Sequence, residues 1–124
     1  MNYGNSFRFE ILRSKQVFQE QKRDLAGFAF MNPDEDFYTL KLLFLPGISY
    51  YLVRQKEKDG YYTIFSKCFQ LEGGKKFVYS VGYAKRMTSE GPMIELYFKD
   101  LKGPYYLHLQ PVANSQAQVQ LKSA

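Results

Sequence analysis

The chain has no tryptophan, one cysteine and one histidine among its 124 residues. A lone Cys68 cannot form a disulfide within the chain, and it excludes a cysteine-rich zinc site. A lone His108 leaves a catalytic triad or a histidine-based metal centre little to work with. Acidic residues are the minority, twelve against seventeen lysines and arginines. They cluster only at Asp34, Glu35 and Asp36, without the alternation and glycine of a calcium loop, so they read as a solvated turn. No apolar run approaches the roughly 18 residues of a membrane-spanning helix. The longest, such as residues 42–46, are strand-sized. The opening MNYGNSFRFE has no long apolar stretch, so no secretory signal is expected. Together with the single thiol, this gives the expectation of a reducing cytoplasmic setting.

What the chain does contain is aromatic side chains. Eleven Tyr and eleven Phe make up 18% of it. Rings and β-branched residues suit a pleated, half-buried surface, which favours strands. The length suggests one domain over residues 1–111, followed by a polar tail over 112–124 rich in Gln, Ser and Ala.

Alternation of period two marks the strands. Phe7, Phe9 and Ile11 alternate with Arg8, Glu10 and Leu12. Residues 16–21 and 25–31 read as the next two strands, with the turn Asn32-Pro33-Asp34-Glu35-Asp36 behind them. A helix over residues 14–25 is the alternative there, although Val17, Phe18 and Leu25 give it only a thin apolar stripe. Leu40, Leu42 and Phe44 then alternate with Lys41, Leu43 and Leu45 until Pro46-Gly47. Residues 49–55 lead to Asp59-Gly60, a strong hairpin signal. Residues 61–66, 67–71, 77–87, 93–99 and 105–110 complete the series. Turns are expected at Gly73-Gly74-Lys75-Lys76, at 88–92 and at Lys102-Gly103-Pro104. The glycine-lysine turn lacks the spacing of a phosphate loop.

The two halves, about 7–55 and 61–110, echo one another. Gly27-Phe28-Ala29 matches Gly82-Tyr83-Ala84, and Leu40-Lys41-Leu42-Leu43-Phe44 matches Ile94-Glu95-Leu96-Tyr97-Phe98. Tyr50-Tyr51-Leu52 matches Tyr105-Tyr106-Leu107, Phe18-Gln19 matches Phe69-Gln70, and Ser14-Lys15 matches Ser66-Lys67. The expected fold is therefore all-β, with about eight antiparallel strands. They would form a barrel or a two-sheet sandwich of two degenerate four-stranded repeats, either of which limits exposed edges.

Convergent catalytic groups are missing from this pattern, so no enzyme, cofactor or metal is expected. His108 alternates with Leu107 and Leu109 and reads as a surface imidazole; Cys68 reads as a partly buried core thiol. The pairing of rings with cations is more informative. If Leu40, Leu42, Ile94, Leu96 and Phe98 face inward, then Lys41, Tyr97 and Lys99 face outward. Tyr51, Arg54, Tyr62, Lys85, Arg86 and Tyr106 would join similar surfaces. Bases stack on exposed rings for roughly 1–3 kcal/mol each, while cations track phosphates. The nine residues are thus candidates to bind single-stranded nucleic acid, with steep salt dependence. The same combination makes a protein-binding hot spot, for a homodimer or a foreign partner. A third reading shares the rings between packed sheets, with no ligand. The net charge of +5 helps an anionic partner without identifying one, and a solvated surface is its ordinary meaning.

One stretch carries a resemblance. Tyr62-Thr63-Ile64-Phe65 is followed by Gly82-Tyr83-Ala84-Lys85-Arg86, Thr88-Ser89-Glu90-Gly91 and Pro104-Tyr105-Tyr106-Leu107-His108-Leu109. This resembles a family of short plasmid-associated bacterial proteins of unknown function. The likeness covers under half of the chain, and a tryptophan usual in that family is absent. It implies a bacterial cytoplasmic protein carried on a mobile element. It implies no catalytic residue, and it favours a nucleic-acid partner by association only.

Overall fold

A computed structural model describes residues 7–17, 20–87 and 92–110. The expected match at Phe18-Gln19, residues 88–91 of the turn expected at 88–92, and the polar tail over 112–124 lie outside the described residues. Eight strands follow one another: β1 (Phe7–Val17), β2 (Glu20–Met31), β3 (Phe37–Leu42), β4 (Tyr50–Arg54), β5 (Tyr61–Leu71), β6 (Gly74–Met87), β7 (Met93–Phe98) and β8 (Tyr105–His108). Each is antiparallel to its neighbour, and β8 returns to β1, closing an up-and-down barrel. Closure decides between the two expected architectures, and it removes free sheet edges.

The barrel closes around side chains selected by alternation. Ile11, Leu40, Leu52, Ile64, Leu96 and Leu107 point inward and are fully buried, joined by the larger Phe98 and Tyr105. Charged residues such as Glu10, Lys41, Lys85 and Glu95 lie between these positions and point outward. Apolar inside and charged outside is the reverse of the pattern in a membrane-spanning barrel. No helix occurs among the described residues, so none is long and apolar enough to cross a membrane.

Two hairpins are much longer than the barrel needs. In the first, Ile11 pairs with Gly27 but Leu12 pairs with Leu25, so Ala26 is an extra residue. In the second, Ile64 pairs with Gly82 but Phe65 pairs with Ser80, so Val81 is extra. Such bulges bend a strand and tighten its twist. Tyr79, just beyond the second bulge, has a φ of 63°, the one positive value outside glycine among the described residues.

Beyond the bulge, residues 65–71 and 74–80 form an arm that turns back over the outside of the barrel. Its Phe77 ring packs on Phe37 at 5.0 Å, on Tyr51 at 5.9 Å and on Phe65 at 5.9 Å. Its Lys75 ammonium lies 4.8 Å from the centre of the Phe37 ring and 2.9 Å from a Glu35 carboxylate oxygen. Phe37 therefore faces outward from β3 yet is only 5% exposed. The first arm behaves similarly. Arg23 lies 5.0 Å above the Tyr106 ring and donates towards the Met93 sulfur at 3.7 Å.

These arms change three expectations. Residues 16–21 are not one strand but the end of β1 and the start of β2. The alternative helix over 14–25 gives way to ladder pairs such as Ser14 with Arg23. Residues 61–71 form one continuous strand. The barrel register also adjusts the proposed correspondence between halves. Gly27 lies opposite Leu42 and Gly82 opposite Phe98, so Leu40–Leu42 occupies the place of Leu96–Phe98, two residues from the sequence match.

Candidate functional site

The nine expected binding residues divide between the two faces of the barrel wall. Tyr62 points inward and is 6% exposed, so its ring face cannot receive a base. Its cross-strand partner Arg54 must share that inward side. Arg86 pairs with the fully buried Ile94 and points inward as well. These three residues belong to one mouth of the barrel rather than to its outer surface.

Of the outward residues, two rings are occupied. Tyr51 packs in the cluster with Phe37 and Phe77, and Tyr106 lies beneath the Arg23 guanidinium. Lys41 is exposed on β3 and donates to the Ser49 hydroxyl. That leaves Lys85, Tyr97 and Lys99 together on the outside of β6 and β7.

A fourth residue completes this group. Tyr83 is paired directly with Tyr97 across the ladder, and the two rings stack at 4.9 Å with an interplanar angle of 18°. Tyr83 is 51% exposed, so its far ring face is open to solvent. It was not among the expected binding residues, although its place between Gly82 and Ala84 marked it as outward. Small residues on either side face the crowded interior, and period two sends the ring the other way.

Lys85 lies one outward step from Tyr83 on β6, and Lys99 one outward step beyond Tyr97 at the end of β7. Each step is roughly 7 Å along the strand. The cations therefore bracket the ring pair from opposite ends. Lys99 donates from its ammonium to the Ser80 carbonyl at 3.2 Å, which holds it beside the start of the arm. Glu95 lies within the same stripe, accepting a hydrogen bond from the Tyr97 hydroxyl and approaching Lys85 at 3.8 Å. That hydrogen bond is the main reason the Tyr97 phenol holds its proton well above the usual range; burial adds to it.

No family model, curated protein or solved structure matches this chain. Among the described residues, no group of three or more His, Cys, Asp or Glu side chains converges to hold a metal ion. His108 shares the outward side with its pair partner Met93 and is half-buried. Cys68 lies not in the core but on the second arm, opposite Phe77, where it is also half-buried.

The inward group forms the second cluster. Tyr38 points into the barrel at the same mouth, its ring edge-on to Phe9 at 5.4 Å. Burial is the largest influence on its phenol and raises its pKa; the Tyr62 phenol adds to this, while Arg86 and Arg54 act in the opposite direction. The Tyr62 phenol and both arginine heads thus lie within electrostatic reach of the Tyr38 phenol.

Proposed function

We propose that this chain is a non-enzymatic binding module that takes single-stranded nucleic acid on the outside of β6 and β7. The observation that carries the reading is the open Tyr83–Tyr97 stack, bracketed by Lys85 and Lys99. A base laid on the free face of Tyr83 extends an existing stack without reordering either ring. The flanking ammonium groups then meet the phosphates on each side. A bacterial cytoplasmic setting accompanies this proposal.

Glu95 sets its strength. One carboxylate beside two cations leaves the stripe with little net charge, so affinity comes mainly from stacking. With two phosphates neutralised at about 0.7 each, the slope of log K against log salt is about −1.4. That is shallower than the full nine-residue surface would give. The test is fluorescence anisotropy with a labelled oligothymidine at low salt. Tyr83→Ala is expected to weaken binding by roughly tenfold or more, from the stacking energy of one base. No binding of the wild type at roughly tens of micromolar would end the proposal.

A protein partner is the second reading, and a different surface supports it. Leu43, Phe44 and Ile48, in the β3–β4 loop, are each at least two-fifths exposed. An apolar loop tip is better suited to a protein surface than to a polyanion. Light scattering tests the homodimer form of this reading: a monomer at high concentration removes it.

A further inference from the structure

We propose that the barrel mouth lined by Arg54, Arg86, Tyr38 and Tyr62 is a binding site for an oxyanion, the phosphate or carboxylate group of a small ligand. The site is separate from the β6–β7 stripe and does not depend on the nucleic-acid reading.

Register places the four groups together. Arg54 pairs with Tyr62, Tyr62 with Ala84, and Arg86 is the next inward residue of β6 after Ala84. Tyr38 is paired with Leu52, one inward step from Arg54 on β4. Apolar Met31 and Leu109 also pack against the core. Register brings these two apolar side chains to the same end of the barrel as the two guanidinium groups and two phenols.

Among the described residues, none of the four polar heads has a side-chain hydrogen bond or an ion pair. Neither arginine forms an ion pair or a side-chain hydrogen bond, although carboxylates stand in the adjoining loops. Glu35, in the β2–β3 loop, is already engaged by Lys75 and Asn32. The Tyr38 and Tyr62 hydroxyls form no hydrogen bond, and neither is among the buried unsatisfied atoms, so both reach the open side of the mouth. Two guanidinium groups turned towards one opening repel each other, and a guanidinium does not shed its charge. An oxyanion between them relieves that repulsion. It accepts from both forks and from both O–H donors. Lys41, Lys85 and Lys99 differ, since they have a hydroxyl, a carboxylate and a carbonyl in reach, respectively.

The test is a pair of NMR titrations of the whole chain, one with inorganic phosphate and one with acetate, against sodium chloride at matched ionic strength. A saturable response is expected at Tyr38, Arg54, Tyr62 and Arg86, with a dissociation constant of about 1 mM. A response to both anions assigns an oxyanion site in general; a response to phosphate alone assigns a phosphoryl ligand, and to acetate alone a carboxylate. Phosphate at about ten times that constant should also raise Tm by about 5 °C over chloride. Arg54→Gln combined with Arg86→Gln should weaken binding at least roughly tenfold. Tyr38→Phe, which keeps the ring and removes one donor, gives a smaller loss and serves if the double variant does not fold. No saturable response to either anion overturns the proposal. So does a response confined to the lysines of β6 and β7.

Discussion

A methyl group at Gly27 would stand 2.2 Å from the carbonyl oxygen of Lys41, and one at Gly82 would stand 2.1 Å from that of Tyr97. In both cases the obstacle is backbone, which cannot rotate away. The two glycines let β2 approach β3, and β6 approach β7, just where each long strand bulges and leaves the barrel. Gly27→Ala or Gly82→Ala must force a strand pair apart. The expected loss is about 3 kcal/mol, the upper range for overpacking. Gly73→Ala is the control, since nothing lies within 4 Å of its added carbon. It should change stability by no more than about 0.5 kcal/mol. Urea denaturation separates the cases. Equal stability of all three variants would mean that the strands can shift without cost, and that the glycines do not set the spacing.

At the scale of elements, the second arm is held mainly by a ring and only secondarily by a charge. Phe77 touches three aromatic neighbours, whereas the Lys75–Glu35 pair is partly exposed and so contributes little. Phe77→Ala should cost about 2 kcal/mol, below the fully buried range because the ring is half-exposed. It should also speed amide exchange over residues 66–80 while Ile64 and Ala84 remain protected. Uniform loss of protection would show that arm and barrel unfold as one unit. The arm also explains what sequence could and could not convey. Strands with one wet face announce themselves: Phe9 and Ile11, or Ile94, Leu96 and Phe98, alternate cleanly because only one side meets the core. Phe37 and Tyr51 obey the same alternation but point outward, and alternation alone cannot reveal that an arm carrying Phe77 folds over them. The binding residues divided for a related reason. Lys85 and Tyr97 lie in regular strand and Lys99 directly follows β7, each beside known inward neighbours, so their outward direction is legible. Arg54, Tyr62 and Arg86 needed the register with their partner strands, which only closure of the barrel supplies.

For the whole molecule, the barrel has two unlike ends. The β3–β4 loop presents Leu43, Phe44 and Ile48, while the opposite mouth presents arginines and phenols. The phenols couple the fold to alkaline pH. Tyr97 holds its proton through its hydrogen bond to Glu95, and Tyr38 and Tyr50 hold theirs chiefly through burial. Lys75 shifts the same way through its hydrogen bond to Glu35. In every case the folded pKa lies above that of the unfolded chain, which for a phenol or an amine is about 10. Below that pH both states keep the proton, and the stabilisation is fully present. Above it the unfolded chain releases protons that the folded chain retains, so the unfolded state binds fewer and stability falls as pH rises. Unfolding free energy should therefore decline from about pH 10 upward, towards the raised values of these groups. The Tyr97→Phe variant should decline less steeply than the wild type, because one withheld proton is gone. Denaturant midpoints measured between about pH 8 and pH 11 would show it. If the two proteins declined in parallel, the Tyr97 hydroxyl would not be held by Glu95 in solution. The stripe would then carry a free carboxylate beside its cations, and the stacked pair would lose the bond that fixes one of its rings.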